Sequence, residues 1–175
     1  MMKTNMKMLE SKGNRSFSWS LIGFAATFLM ASTMAADRVK LSEPQKFMDF
    51  RTPELTTARA EESFVAAINE HLEAFENSHP SIKQVTLTFT DVDRAGHVRY
   101  DVRGDHRELR LLDNFVQVRL NFDFQVIGKD GSVIDSGTKS LKKVFSITDI
   151  MMRRHSREAF FFEKELLQSW LEQLD

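Results

Sequence analysis

Val116-Gln-Val-Arg-Leu-Asn-Phe-Asp-Phe-Gln-Val126 decides the fold. Val116, Val118, Leu120, Phe122, Phe124 and Val126 alternate with Gln117, Arg119, Asn121, Asp123 and Gln125. A helix would scatter these apolar side chains around its axis. A strand, whose successive side chains point to opposite faces, gathers them on one. The stretch is therefore a strand with one face on a core. Gly128-Lys-Asp-Gly131 follows as a hairpin turn in which Gly131 can take a positive φ. The return strand is predicted from Val133 to about Leu141. Upstream, Val85, Leu87 and Phe89 alternate with three threonines in a second one-sided strand, which Asp91-Val-Asp-Arg-Ala-Gly96 ends.

Working outward, the period changes. Phe64, Ile68, Leu72 and Phe75 fall at helical spacing and form one apolar stripe. Thr56 or Thr57 supplies the N-cap, Glu61 and Glu62 suit the helix dipole, and His79-Pro80 stops the helix. A last helix is predicted from about Arg157 to Leu174. Phe162, Leu166 and Trp170 form its stripe, widened by Phe160, Leu167 and Leu171, with Glu163, Lys164, Glu165, Gln168 and Glu172 on the solvent side. Val39-Lys40-Leu41 reads as a short edge strand. Pro44 and Pro53 bracket a loop pinned by Phe47, Met48 and Phe50. Residues 94–110, crowded with both signs of charge, read as a long loop, with a short irregular strand within it as the alternative. The order is β-α-β-β-β-α: an α+β fold with a small, mainly antiparallel sheet covered by two amphipathic helices.

The chain has 175 residues, which suits one domain plus an appendage. Its formal charge of -1 divides into +3 on residues 1–35 and -4 on the remainder. A mildly acidic domain has no overall field to collect nucleic acid or anionic lipid. The absence of cysteine excludes disulfides, thiol nucleophiles, cysteine metal sites and a lipoprotein anchor. Residues 3–15 are polar and basic, Leu21–Met30 is apolar, and Ala31–Ala36 is rich in small residues. This is the order of a secretory signal peptide, with the cut expected after Ala35. Residues 1–35 are accordingly assigned as signal and 36–175 as the globular domain. The location expected is the periplasm, with no stable membrane anchor after cleavage. The competing reading is an uncleaved anchor, since Ser16–Ala36 is uncharged and near the length of about 20 residues that spans a bilayer.

Asp91, Asp93, Arg94 and His97 are the candidate ligand-binding residues. Asp91 and Asp93 continue the parity of Val85, Leu87 and Phe89, so an unbroken strand would aim both carboxylates at the core, a costly placement without partners. The favoured reading is that the strand ends or bulges at Asp91 and the aspartates cap backbone N–H groups of the turn before Gly96. A hard-cation site and an acid–base pair are the alternatives; the EF-hand spacing is absent. His97 and His106 flank Asp101 and Asp105 without a compact zinc motif. Arg94, Arg99, Arg103, Arg107 and Arg110 are interleaved with acids, which favours mutual salt bridges over an anion site. No Gly-x-Ser-x-Gly elbow or phosphate-cradling glycine loop exists. No catalytic residue and no cofactor is assigned, and the metal question stays open.

Four pieces resemble the bacterial family called domain of unknown function 3016. They are Val39-Lys-Leu-Ser-Glu-Pro-Gln-Lys-Phe-Met-Asp49, Leu87-Thr-Phe-Thr-Asp-Val-Asp-Arg-Ala-Gly96, the hairpin around Gly131, and Phe162-Glu-Lys-Glu-Leu-Leu-Gln-Ser-Trp170. The resemblance covers nearly all of the chain after the leader. It implies an exported bacterial protein and carries no activity or site residue with it. The function read from the sequence is a non-catalytic periplasmic binding or envelope-associated domain, with an envelope protein as a possible partner. The alternatives are a hydrolase-type or metal-dependent enzyme with its site in residues 91–110, and a protein–protein interaction module using the edge strand at Val39 or the exposed sheet face. The discriminator is whether Asp91, Asp93, Arg94, His97, Asp101 and His106 converge in one pocket.

Overall fold

The computed structural model describes residues 38–100, 104, 107–148, 154–155 and 158–174. The leader assigned to residues 1–35, Asp101, Asp105, His106 and most of the basic stretch 151–155 lie outside these. In chain order the elements are β1 (Val39–Leu41), a 3-10 turn (Pro44–Lys46), α1 (Thr57–Ser78), β2 (Ile82–Asp93), β3 (His97–Tyr100), β4 (Glu108–Leu111), β5 (Phe115–Gly128), β6 (Val133–Ser146) and α2 (Phe161–Leu171).

β5 behaves as its alternation requires. Val116, Val118, Leu120, Phe122, Phe124 and Val126 are all buried. The Gly128–Gly131 turn closes with Gly131 N–H donating to Gly128 O at 2.9 Å and Gly131 at φ 85. β5 sits between β2 and β6 in a four-stranded sheet of order β1-β2-β5-β6. The α+β architecture is as expected, but the sheet is mixed, because β1 pairs parallel to β2. A parallel pair needs a crossover, and α1 supplies it. The Thr56 hydroxyl caps α1 by accepting from Arg59 N at 3.4 Å, and the helix stops at Ser78, before Pro80. Phe64, Ile68, Leu72 and Phe75 of α1 meet Phe162, Leu166, Leu167, Trp170 and Leu171 of α2 in one core over the β2–β5 face. Phe64 is its hub, with the rings of Phe50, Phe89 and Phe160 at 5.2–5.3 Å between centroids.

Four expectations need correction. Residues 94–110 hold more than the one short strand allowed within the loop: β3 and β4 pair antiparallel from His97↔Leu111 to Tyr100↔Glu108. Their residues are at best half-buried, because this ribbon stands apart from the main sheet, so the alternation that marks a one-sided strand never develops. β6 runs on to Ser146, placing Phe145 in the core opposite Val116. Met48 does not pin its loop by apolar burial; Phe47 and Phe50 are buried while Met48 is 66% exposed. Glu163 is not on the solvent side of α2, being only 2% exposed. No helix among the described residues is long and apolar enough to cross a membrane.

Gly96 makes the turn into β3. Its φ is +80, and a Cβ placed there would lie 2.2 Å from the backbone oxygen of Leu111. Backbone cannot swing aside as a side chain can. Gly96→Ala is therefore expected to cost about 2 kcal/mol or somewhat more, read as a lower urea midpoint. An alanine variant as stable as the parent would show that the ribbon is not held against this turn.

Candidate functional site

The polar residues singled out in the sequence sit at the end of β2, where a bulge reverses its parity. Phe89 pairs with Phe122 and Asp91 with Asn121, so Thr90 is the extra residue. Before the bulge Val85, Leu87 and Phe89 face the core; after it Val92 does. Asp91 and Asp93 are thereby turned to the open face of the sheet, half-buried. The bulge was one of the readings of this segment. The strand does not end there, however, and Asp91 does not cap the turn before Gly96. Its Oδ1 accepts from Met48 N at 2.8 Å and its Oδ2 from Arg119 Nη2 at 3.2 Å. It thus ties residues 43–55, the segment between β1 and α1, to the sheet.

Two more fastenings act on the same segment. Asp49 bridges in parallel to Asp93, with Arg94 N donating to Asp49 O at 3.2 Å. Arg110, from β4, grips the Asp49 carboxylate with both terminal nitrogens, Nη1 at 3.0 Å and Nη2 at 2.6 Å. The same guanidinium donates to the carbonyls of Arg51, Ala95 and Gly96. A planar fork matched to a carboxylate is the strong form of this contact. Arg51 in turn pairs with Glu108. The β3–β4 ribbon therefore functions as a clasp over the segment.

Arg94 goes the other way, into the base of the core. Its Nε lies 3.6 Å from Glu163 Oε1, its guanidinium lies 4.5 Å from the Phe160 ring centroid, and it donates to the Thr52 hydroxyl. Glu163 also accepts from Ala95 N at 3.1 Å. Burial pulls the Arg94 guanidinium below its usual range, and the Glu163 charge pulls it back. His97 belongs to neither group; its Nδ1 is 3.4 Å from Asp113 Oδ2, and both side chains are well exposed. Asp91, Asp93, Arg94 and His97 thus fall on the outer sheet face, in the core base and on the ribbon, and these four do not converge on one pocket. Among the described residues, no group of three or more His, Asp or Glu is placed to hold a metal ion.

Among the described residues, Asp93 forms no ion pair. Burial, with Asp49 and Asp91 nearby, raises its carboxyl above the ordinary range, against the opposing pull of Arg119 and a Gln117 hydrogen bond. A carboxyl with a raised folded-state pKa adds stability that is full below its unfolded value and is lost as pH rises through the folded one. Its charge at neutral pH is therefore destabilising. Asp93→Asn is expected to raise the melting midpoint near pH 7, with the gain vanishing towards about pH 3. A variant that melts lower near neutrality would contradict this.

The fastened segment lines an open cleft of about 630 Å³ at the N-terminal end of α1. Phe47, Met48, Phe50, Pro53, Leu55 and Ala60 supply its apolar wall. Thr52, Thr56 and Thr57 supply hydroxyls, and its charged neighbours, Asp49 and Arg51, are committed to Arg110 and Glu108. No candidate residue from the sequence lines it. Asp49, Arg110, Arg119 and Glu163, which organise this end of the molecule, carried no site signal in the sequence beyond the expectation of mutual salt bridges for the arginine-rich segment.

No curated protein matches the chain. Residues 35–173 match the family described as protein of unknown function (DUF3016), and the chain belongs to that family.

Proposed function

We propose that this chain is an exported, non-catalytic binding domain that takes its ligand in the cavity lined by residues 44–57. The observation that carries the proposal is the division of labour at this end of the fold. Asp49 and Arg51, the charged residues that line the cavity, are consumed in pairs with Arg110 and Glu108, which leaves a lining of apolar groups interleaved with Gln45 and three threonine hydroxyls. Its volume is that of a site for a small ligand, and an apolar wall with a few orienting polar groups is the usual make-up of one. The occupant it fits is an apolar or amphipathic group, not a phosphate or a metal complex. The export half of the proposal rests on the basic, apolar and small-residue order of residues 1–35.

Gln45 lines the cavity, is exposed, and takes no part in the fastenings. Gln45→Trp should fill the mouth without loosening the segment. Titration with an anilinonaphthalene sulfonate dye, an amphipathic probe, should give saturable fluorescence enhancement in the native chain and a several-fold loss in the variant. Equal binding by both would place the probe elsewhere and remove the cavity from the account. Export is checked separately: the protein recovered from the cell envelope should begin at Ala36.

A further inference from the structure

We infer that β6 is a docking edge for an extended, acidic protein segment that adds to the sheet as a further strand. The two edges of the sheet are unequal. β1 is three residues long, whereas β6 is fourteen residues long and, among the described residues, pairs only with β5. Such an edge presents a row of backbone donors and acceptors with no strand to receive them. Nearly all of β6 is exposed; only Leu141, Phe145 and Ser146 are covered to any degree.

The chemistry of the occupant follows from the register. Lys139 pairs with Phe122, Leu141 with Leu120 and Lys143 with Val118, so these three side chains share the helix-covered face of the sheet. Lys142 pairs with Arg119 and stands on the opposite face. Among the described residues, no carboxylate forms an ion pair with Lys139, Lys142 or Lys143, and Asp135 is the only acid on the strand. These lysines make a second copy of β6 a poor neighbour, since a self-pair would set two cationic strands side by side. They favour a strand of opposite sign. One that lays an acidic, an apolar and an acidic side chain at alternate positions would meet Lys139, Leu141 and Lys143 in turn. Directly opposed unlike charges and apolar pairs are the stabilising combinations between neighbouring strands.

The proposal is independent of the cavity. A fluorescently labelled peptide containing Glu-Thr-Val-Thr-Glu, titrated against the purified chain at low salt, tests it by anisotropy. The expected result is saturable binding that weakens about tenfold or more in Lys139→Glu/Lys143→Glu. That variant should instead take the Lys-Thr-Val-Thr-Lys peptide. N-methylation of the peptide backbone along the docking edge should abolish binding, because the edge hydrogen bonds are lost. Lys143 lies over the Phe145 ring, so Lys139→Glu alone serves if the double variant fails to fold. Absence of binding, binding unchanged by charge reversal, or binding that survives N-methylation would each overturn the proposal. The lysines would then be guards against edge pairing and nothing more.

Discussion

Glu163→Ala is expected to lower stability by about 3–5 kcal/mol, the usual cost of stripping one partner from a buried ion pair. Three groups lose by it. Arg94 has an 11% exposed side chain and would keep its charge in the core base without its ion-pair partner, beside Phe160 and Thr52. The Ala95 N–H, which donates to Glu163, would be left buried and unpaired. The space vacated on α2 would not refill, because Phe162 and Leu166 are already packed. Chemical denaturation of parent and variant reads the loss. The double change Glu163→Leu/Arg94→Met should recover a good part of it, since the stranded charge leaves with its partner. A single variant within about 1 kcal/mol of the parent would mean that Arg94 reaches water and that the pair is not a buried one.

Phe64→Ala is expected to cost a similar amount, about 3–5 kcal/mol. The ring is fully buried, and its neighbours belong to three different parts of the fold: Phe50 in the segment after β1, Phe89 in β2 and Phe160 at the start of α2. These parts converge on Phe64 from separate elements and cannot all close on the space it leaves. The cavity should respond as well. Phe50 lines it and packs edge-on against Phe64, so the variant should bind the amphipathic dye with altered affinity even where it remains folded. A loss confined to stability, with dye binding unchanged, would separate the cavity wall from the core.

The parts of the fold legible in the sequence are those whose burial is one-sided. The period of two in residues 116–126, the stripe from Phe64 to Phe75, and the Phe162–Leu166–Trp170 ridge each report a face on the core. The ribbon β3–β4 is legible only as a short irregular strand within a loop, because it covers a loop instead of a core and so carries charges along its length. The bulge at Thr90 was legible only as one option among several. Alternation before it and acidic residues after it fit a turn as well as a strand that has changed parity. Glu163 was misplaced because its reason for burial, Ala95 N–H, lies 68 residues away, and no local period reports such a contact. Asp49 and Arg110, which lie 61 residues apart, escaped for the same reason. The candidate site was thus half-read. Asp91, Asp93 and Arg94 do mark the organised end of the sheet, but they fasten the cavity segment and do not line the cavity.

The claim that the Asp91 carboxylate is a fastening is tested most directly by thermal melting of the purified chain with and without calcium, magnesium, manganese and zinc, with Asp91→Asn alongside. A ligand that binds only the native state raises the midpoint in proportion to its occupancy. The expected result is the same midpoint for the parent in every buffer and a uniformly lower one for the variant, which loses its charged grip on Arg119 and weakens its hold on Met48 N. A rise specific to one metal, absent in Asp91→Asn, would contradict it and make the end of β2 a metal site.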